Sequence, residues 1–163
     1  MDPQKYSFKI PIIIGISGIS RSGKTTLSKQ LAEYYKVEKI LHMDDFLIHK
    51  GIIKEDKNWP EPIEDWEDSA CYDLDKFKQT IEDIKKSKNI NNKIIVVEGF
   101  LLYLRKDISD LVDFKIYLEI EKELARERRK SSKYYHSDYY FDEYIWKVFH
   151  ESLYFLISFK NLL

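Results

Sequence analysis

The chain has 163 residues, and its 27 lysines and arginines nearly balance its 28 aspartates and glutamates, for a net charge of −1. That balance offers no broad field to nucleic acid or an anionic membrane, so a compact anionic ligand has to be held by local basic clusters. The single cysteine, Cys71, excludes an internal disulfide and fits a reducing compartment. No apolar run approaches the ~20 residues of a membrane span. The charged N-terminus (Asp2, Lys5, Lys9) has no signal-like apolar core with a cleavage site. The expectation is a cytoplasmic monomer with one domain over residues 1–163 that buries about 70% of its unfolded surface.

The first element is a β-branched apolar run, Pro11–Ser17, which reads as a buried parallel strand. Gly18-Ile-Ser-Arg-Ser-Gly-Lys-Thr25 follows and fills the phosphate-binding pattern G-x-x-x-x-G-K-S/T without a mismatch. A helix over Lys24–Lys36 then places Leu27, Leu31, Ala32 and Tyr35 on one face. Strand, glycine loop and helix are the context the motif requires. Backbone N–H groups and side chains from Gly18, Ser20, Arg21, Ser22, Gly23, Lys24, Thr25 and Thr26 are expected to bind a nucleotide triphosphate, aided by the helix N-terminus. Lys24 reaches the β and γ oxygens in such loops, and the hydroxyl of Thr25 holds Mg²⁺.

The second strand, Lys39–Met43, ends in His42-Met-Asp-Asp-Phe46. Ligands of open parallel sheets bind beyond the carboxyl ends of the strands, so this acidic pair lies where the glycine loop points. Successive residues face opposite ways, so one aspartate is expected in the cleft. Asp44 is the candidate to accept a proton from a hydroxyl nucleophile and to help hold the metal. The competing reading for either aspartate is a helix N-cap. Residues 48–72 are rich in Pro, Trp and acidic side chains without a steady period, which predicts a binding loop rather than filler.

A helix over Leu74–Lys88 leads to a third strand, Lys93–Glu98, in which Glu98 follows four apolar residues. A carboxylate there is costly unless a cation or hydrogen bonds compensate, and a metal-shell role fits. After a fourth strand, Phe114–Ile120, the helix Glu121–Ser131 carries Arg126, Arg128, Arg129 and Lys130. Arginine forks match phosphate oxygens; the bland alternative is a solvated face paired with Glu121, Glu123 and Glu127. A polar, tyrosine-rich break at Lys130–Tyr139 precedes a last helix over Phe141–Leu153. Strands alternating with amphipathic helices predict an α/β fold with a parallel sheet. Aromatic side chains in the two irregular segments (Trp59, Trp66, Tyr134, Tyr135, Tyr139, Tyr140) either stack on a planar ligand or anchor the loops.

Taken together, Ile14-Gly-Ile-Ser-Gly18, Ser22-Gly-Lys-Thr-Thr-Leu27, Met43-Asp-Asp-Phe46, Glu98-Gly-Phe-Leu-Leu-Tyr103, Arg128-Arg129 and Tyr140-Phe-Asp142 with Trp146 resemble the nicotinamide riboside kinases, a branch of the uridine kinase-like P-loop kinases. The resemblance runs over residues 10–150. It implies a P-loop nucleoside-kinase-like three-layer fold, with the family's C-terminal strand and helix shortened here. It also implies transfer of the γ-phosphoryl of ATP (or GTP) with Mg²⁺ to the 5′-hydroxyl of nicotinamide riboside. In that pattern Asp44 approaches the 5′-hydroxyl, Glu98 supports Mg²⁺ beside Thr25, and Arg126 and Arg128 face the nucleotide phosphates. Asp65–Asp73 resembles the family's substrate loop. Trp66 then stacks on the base, Glu67 grips the ribose diol with Arg129, and Tyr134 closes the other face of the ring. The family has Asp where this chain has Glu67, so Asp65 and Asp68 remain alternatives for that task. Uridine or cytidine phosphorylation, or an inactive shortened nucleotide-binding paralogue, are the rival readings. Neither nucleic acid nor a membrane is expected as a partner.

Overall fold

The computed structural model describes residues 11–87, 93–132 and 135–160. Four parallel strands, β1 (Ile12–Gly18), β2 (Lys39–His42), β5 (Ile94–Glu98) and β6 (Phe114–Leu118), form one sheet in the order β2-β5-β1-β6. The remaining strands, β3 (Ile52–Lys54) and β4 (Ile63–Asp65), form an antiparallel hairpin apart from that sheet. α1 (Lys24–Tyr35) leaves the loop after β1, and α2 (Leu74–Lys86) starts at Asp73, whose side chain accepts from the Lys76 N–H. Leu74, Phe77, Ile81 and Ile84 line the buried face of α2. They pack with Ile13, Ile95 and Val97 of the sheet and with Leu101–Tyr103 in the main core.

The register sets the site. Glu98 lies opposite Ile16 on one side and His42 on the other, so the C-terminal ends of β2, β5 and β1 finish together. Central β1 leaves little room: a Cβ at Gly15 would come within 2.7 Å of Val112 and 2.8 Å of the Tyr103 hydroxyl. A parallel sheet whose strand ends converge in this way presents its loops to one cleft.

A second cluster sits beside the sheet. The short α3 (Lys106–Ser109) precedes β6, and α4 (Lys122–Lys130) follows it. Then α5 (Asp138–Tyr140), a π-helical stretch at Phe141–Trp146 and α6 (Lys147–Lys160) run on without a break. Ile19 of the glycine loop, Ile63 of the hairpin, Ala125 of α4 and Tyr140, Phe141, Ile145 and Phe149 bury one another. Glycine loop, hairpin and basic helix are thus tied to the C-terminal helices through one apolar contact.

The expected strands and helices are present, with three differences. Residues 48–72 hold a hairpin whose strands have three residues each, too few to display a period. The second strand stops at His42, and Met43–Phe46 close a 3₁₀ turn instead. The last helix begins at Asp138, where the Ser137 side chain accepts from the Tyr140 N–H, and continues to Lys160. The expected end of α2 at Lys88 lies outside the described residues.

Candidate active site

The glycine loop adopts the backbone that its glycines permit. Gly18 has φ 143° and Gly23 φ 106°, and Arg21 is the one other loop residue at positive φ, 68°. A Cβ at Gly18 would sit 2.5 Å from the Leu118 carbonyl oxygen, so this position excludes any larger residue twice over. No side chain caps the N-terminus of α1 at Gly23, which leaves its N–H groups to a ligand. Lys24 Nζ donates to the Gly18 and Ile19 carbonyls at 3.0 Å, and burial holds its ammonium below the usual lysine range against the pull of Glu98, Asp44 and Glu67.

Glu98 is almost fully buried and accepts from Thr25 Oγ1 at 2.9 Å. Ser28 Oγ reaches its second oxygen at 3.4 Å, and His42 Nδ1 lies 2.5 Å from the first. The Thr25 hydroxyl at the start of α1 and the Glu98 carboxylate at the end of β5 are the hard oxygen donors that Mg²⁺ takes beside substrate phosphates. Among the described residues there is no cluster of three or more His, Cys, Asp or Glu suited to hold an ion alone. Thr25 and Glu98, with Asp44 across the cleft, fit a metal held jointly with phosphate oxygens. Asp44 caps no helix. Burial raises its carboxyl above the ordinary range, Lys24 opposes the rise, and Glu98 reinforces it.

The acids at 65, 67 and 68 divide by role. Asp65 is buried, receives the Glu67 N–H at 3.0 Å and pairs with Lys54 at 2.7 Å. Asp68 pairs with the same Lys54 at 2.7 Å and caps the Ser69–Cys71 turn. Glu67 alone of the three turns toward the cleft. It lies 3.6 Å from Arg129 Nη2 and feels the charges of Lys24 and Asp44. Burial pushes its carboxyl up to about 7, although Arg129 draws it down. Trp66 packs against Gly51, where a Cβ would meet its indole at 2.9 Å, and its backbone N–H donates to the Tyr140 hydroxyl at 2.9 Å.

The arginines of α4 separate by helical phase. Arg129, on the buried face with Ala125, donates through Nη1 to Ser20 Oγ at 2.6 Å. Arg128 is exposed and reaches the Arg21 carbonyl at 3.3 Å. Arg126 is not brought to the loop: it donates to Asp142 at 2.7 Å and stands over the Phe141 ring. Tyr134 lies outside the described residues. Gly18, Ile19, Ser20, Glu67, Phe100 and Phe149 line a small cavity between the glycine loop and the C-terminal helices. His42 has no role assigned from the sequence, although a parallel register places it opposite Glu98. Of the two readings open to Tyr140, its hydroxyl takes the loop-anchoring one, bonded to the Trp66 backbone N–H and to Asp65.

A glycine loop between a parallel strand and a helix, with its lysine, a buried glutamate at the neighbouring strand end and arginines from α4, defines a P-loop phosphotransferase. The family model described as "AAA domain" matches residues 14–146. Nicotinamide riboside kinase 1 of Homo sapiens is 30% identical over 155 residues, covering 84% of this chain and 74% of that protein. Uridine-cytidine kinase A of Dictyostelium discoideum is 26% identical over 147 residues, covering 77% of this chain and 28% of that one. A solved structure titled a possible uridine kinase from Bacillus stearothermophilus shares the fold, with a TM-score of 0.60 at 21% identity over 92% of this chain and 85% of its own. The chain belongs to the nicotinamide riboside kinase family of P-loop kinases and is a phosphotransferase. Among the described residues, no helix is long and apolar enough to cross a membrane.

Proposed function

We propose that the protein phosphorylates the 5′-hydroxyl of nicotinamide riboside with ATP, giving nicotinamide mononucleotide. The observation that carries this reading is the placement of Glu67, directly after Trp66, against Arg129 in the cleft shared with Lys24 and Asp44. A carboxylate and an arginine at that spot suit the two hydroxyls of a ribose, and the indole one residue earlier suits the face of its base. A cationic pyridinium ring gains more from such a face than neutral uracil does.

Asp44 accepts the proton of the 5′-hydroxyl as the phosphoryl group leaves ATP, a task to which its raised proton affinity contributes. Lys24 and Arg128 steady charge on the phosphates, with the loop N–H groups around them. Thr25, Glu98 and Asp44 would hold Mg²⁺, which would supply positive charge against the transferred phosphoryl group. Arg126 anchors α4 through Asp142 and acts on the nucleotide only through the placement of that helix. The protein acts in the cytoplasm as a monomer.

The test is an Mg²⁺-ATP assay with nicotinamide riboside, uridine or no acceptor, reading ADP and the phosphorylated product by mass. Mononucleotide formed well above uridine monophosphate supports the reading. A preference for uridine retains the kinase and overturns the acceptor, whereas no product from any acceptor in folded protein overturns both.

A further inference from the structure

Ser20 joins two halves of the cleft that lie far apart in sequence. Its hydroxyl sits in the phosphate loop and accepts the 2.6 Å bond from Arg129 Nη1, while the other arm of the same guanidinium, Nη2, lies 3.6 Å from Glu67. Arg129 and Glu67 are each 8% exposed, so water competes little for this chain of contacts. Among the described residues Arg129 Nε has no partner, which leaves the guanidinium positioned by its two terminal nitrogens alone. A planar fork held at one arm has its other arm fixed in direction.

We infer that Ser20 is a positioning residue that couples phosphate occupancy of the loop to binding of the acceptor's ribose. Phosphate oxygens fix the loop backbone that carries Ser20, Ser20 fixes Arg129, and Arg129 fixes Glu67 at the diol. The inference rests on the reading above that Glu67 and Arg129 hold the ribose hydroxyls. Coupling of this kind is reciprocal, so the acceptor tightens the nucleotide by the same factor.

The experiment is calorimetric titration of the full chain with nicotinamide riboside and with uridine, with and without a non-hydrolysable ATP analogue and Mg²⁺. A charge-assisted hydrogen bond predicts about tenfold tighter riboside binding in the presence of the analogue. Ser20→Ala is expected to bring that ratio to within about twofold of unity, and Ser20→Thr, which keeps the hydroxyl, to preserve it. 2′,3′-Dideoxyuridine, lacking the diol, is expected to show no tightening in the unaltered protein. An undiminished ratio in Ser20→Ala overturns the inference. Should that variant fail to bind the analogue, Arg129→Lys decides: it keeps the charge and loses the fork, and an undiminished ratio there overturns the inference equally. Riboside that binds the unaltered protein equally well with and without analogue overturns the coupling alone. Absence of binding by either riboside overturns the proposed function together with it.

Discussion

Replacing Glu67 by Gln separates what this side chain does for the fold from what it does for the ligand. Its carboxyl is raised from an ordinary value of 4.5 to about 7, chiefly by burial, with Asp65 and Asp44 adding to the rise and Arg129 and Lys24 opposing it. Because the folded protein holds the proton more tightly than the unfolded chain, the associated stability is fully present below about pH 4.5 and is lost as pH rises through about 7. The interval corresponds to about 3 kcal/mol at pH 8 and about 1 kcal/mol at pH 5. Glutamine resembles the protonated acid and escapes that cost. Urea denaturation is therefore expected to show Glu67→Gln about 3 kcal/mol more stable than the parent near pH 8, with the gap narrowing to about 1 kcal/mol near pH 5. The riboside KM moves the other way. Loss of a charged acceptor facing two hydroxyls is expected to raise it at least about tenfold. Equal or lower stability of Glu67→Gln at pH 8 would refute the reasoning, because Arg129 would then be repaying the burial of the carboxylate in full.

Four further outcomes follow from the same geometry. Asp44→Asn is expected to lower kcat about 100-fold or more while the Kd of the metal-free nucleotide, by calorimetry, stays within about twofold; retained turnover removes Asp44 from proton transfer. Trp66→Ala should raise the riboside KM about tenfold with little change in the KM for ATP, and Trp66→Tyr should restore it. Tyr140→Phe removes the acceptor of the Trp66 N–H and is expected to cost about 1–3 kcal/mol in denaturation, read together with a higher riboside KM. Gly18→Ala forces a Cβ to 2.5 Å from the Leu118 carbonyl at φ 143°, so nucleotide binding should vanish and Tm fall.

How much of this was legible in the chain depended on whether the signal was local. The loop at 18–25 was readable because glycine alone satisfies φ 143° and φ 106° at its fixed positions, and because the lysine must follow the second glycine. Glu98 was readable because a carboxylate after four apolar residues demands compensation, and Thr25, Ser28 and His42 supply it. The basic helix was visible as a cluster, but its phase was not. Ala125 and Arg129 share the buried face, which turns Arg126 toward Asp142, 16 residues on in the sequence. No property of the arginines themselves distinguishes the one that meets Ser20 from the one that ties α4 to Asp142. The hairpin was hidden for a similar reason: three-residue strands show no period, and what holds them in place is remote. Asp56 accepts from Tyr139 and Tyr144 at 2.8 and 3.0 Å, and Trp59 stacks on Tyr139. A second contact, across the hairpin, decides among Asp65, Glu67 and Asp68, since Lys54 occupies two of them and leaves Glu67 to the cleft.

The cleft as a whole is charged in a way that folding alone does not favour. Lys24 is pushed below its ordinary range while Asp44 and Glu67 are pushed above theirs, and burial is the largest cause in all three. Each shift is toward the neutral form, so desolvation outweighs mutual attraction even with both signs present. Well-packed apolar residues in place of a buried ion pair such as Glu67 and Arg129 are often as stable or more so. A ligand changes that balance only if it brings complementary groups to the right places. On the proposed function, phosphates would meet Lys24 and the loop N–H groups, a metal ion Glu98 and Asp44, and hydroxyls Glu67. An anion at Glu67 would compete with it for Arg129 and add to the repulsion from Asp65 and Asp44. Two uncharged donors stabilise the ionised carboxylate while leaving Arg129 on Ser20. A ribose diol has that chemistry, and an acceptor phosphorylated on its ribose hydroxyls does not.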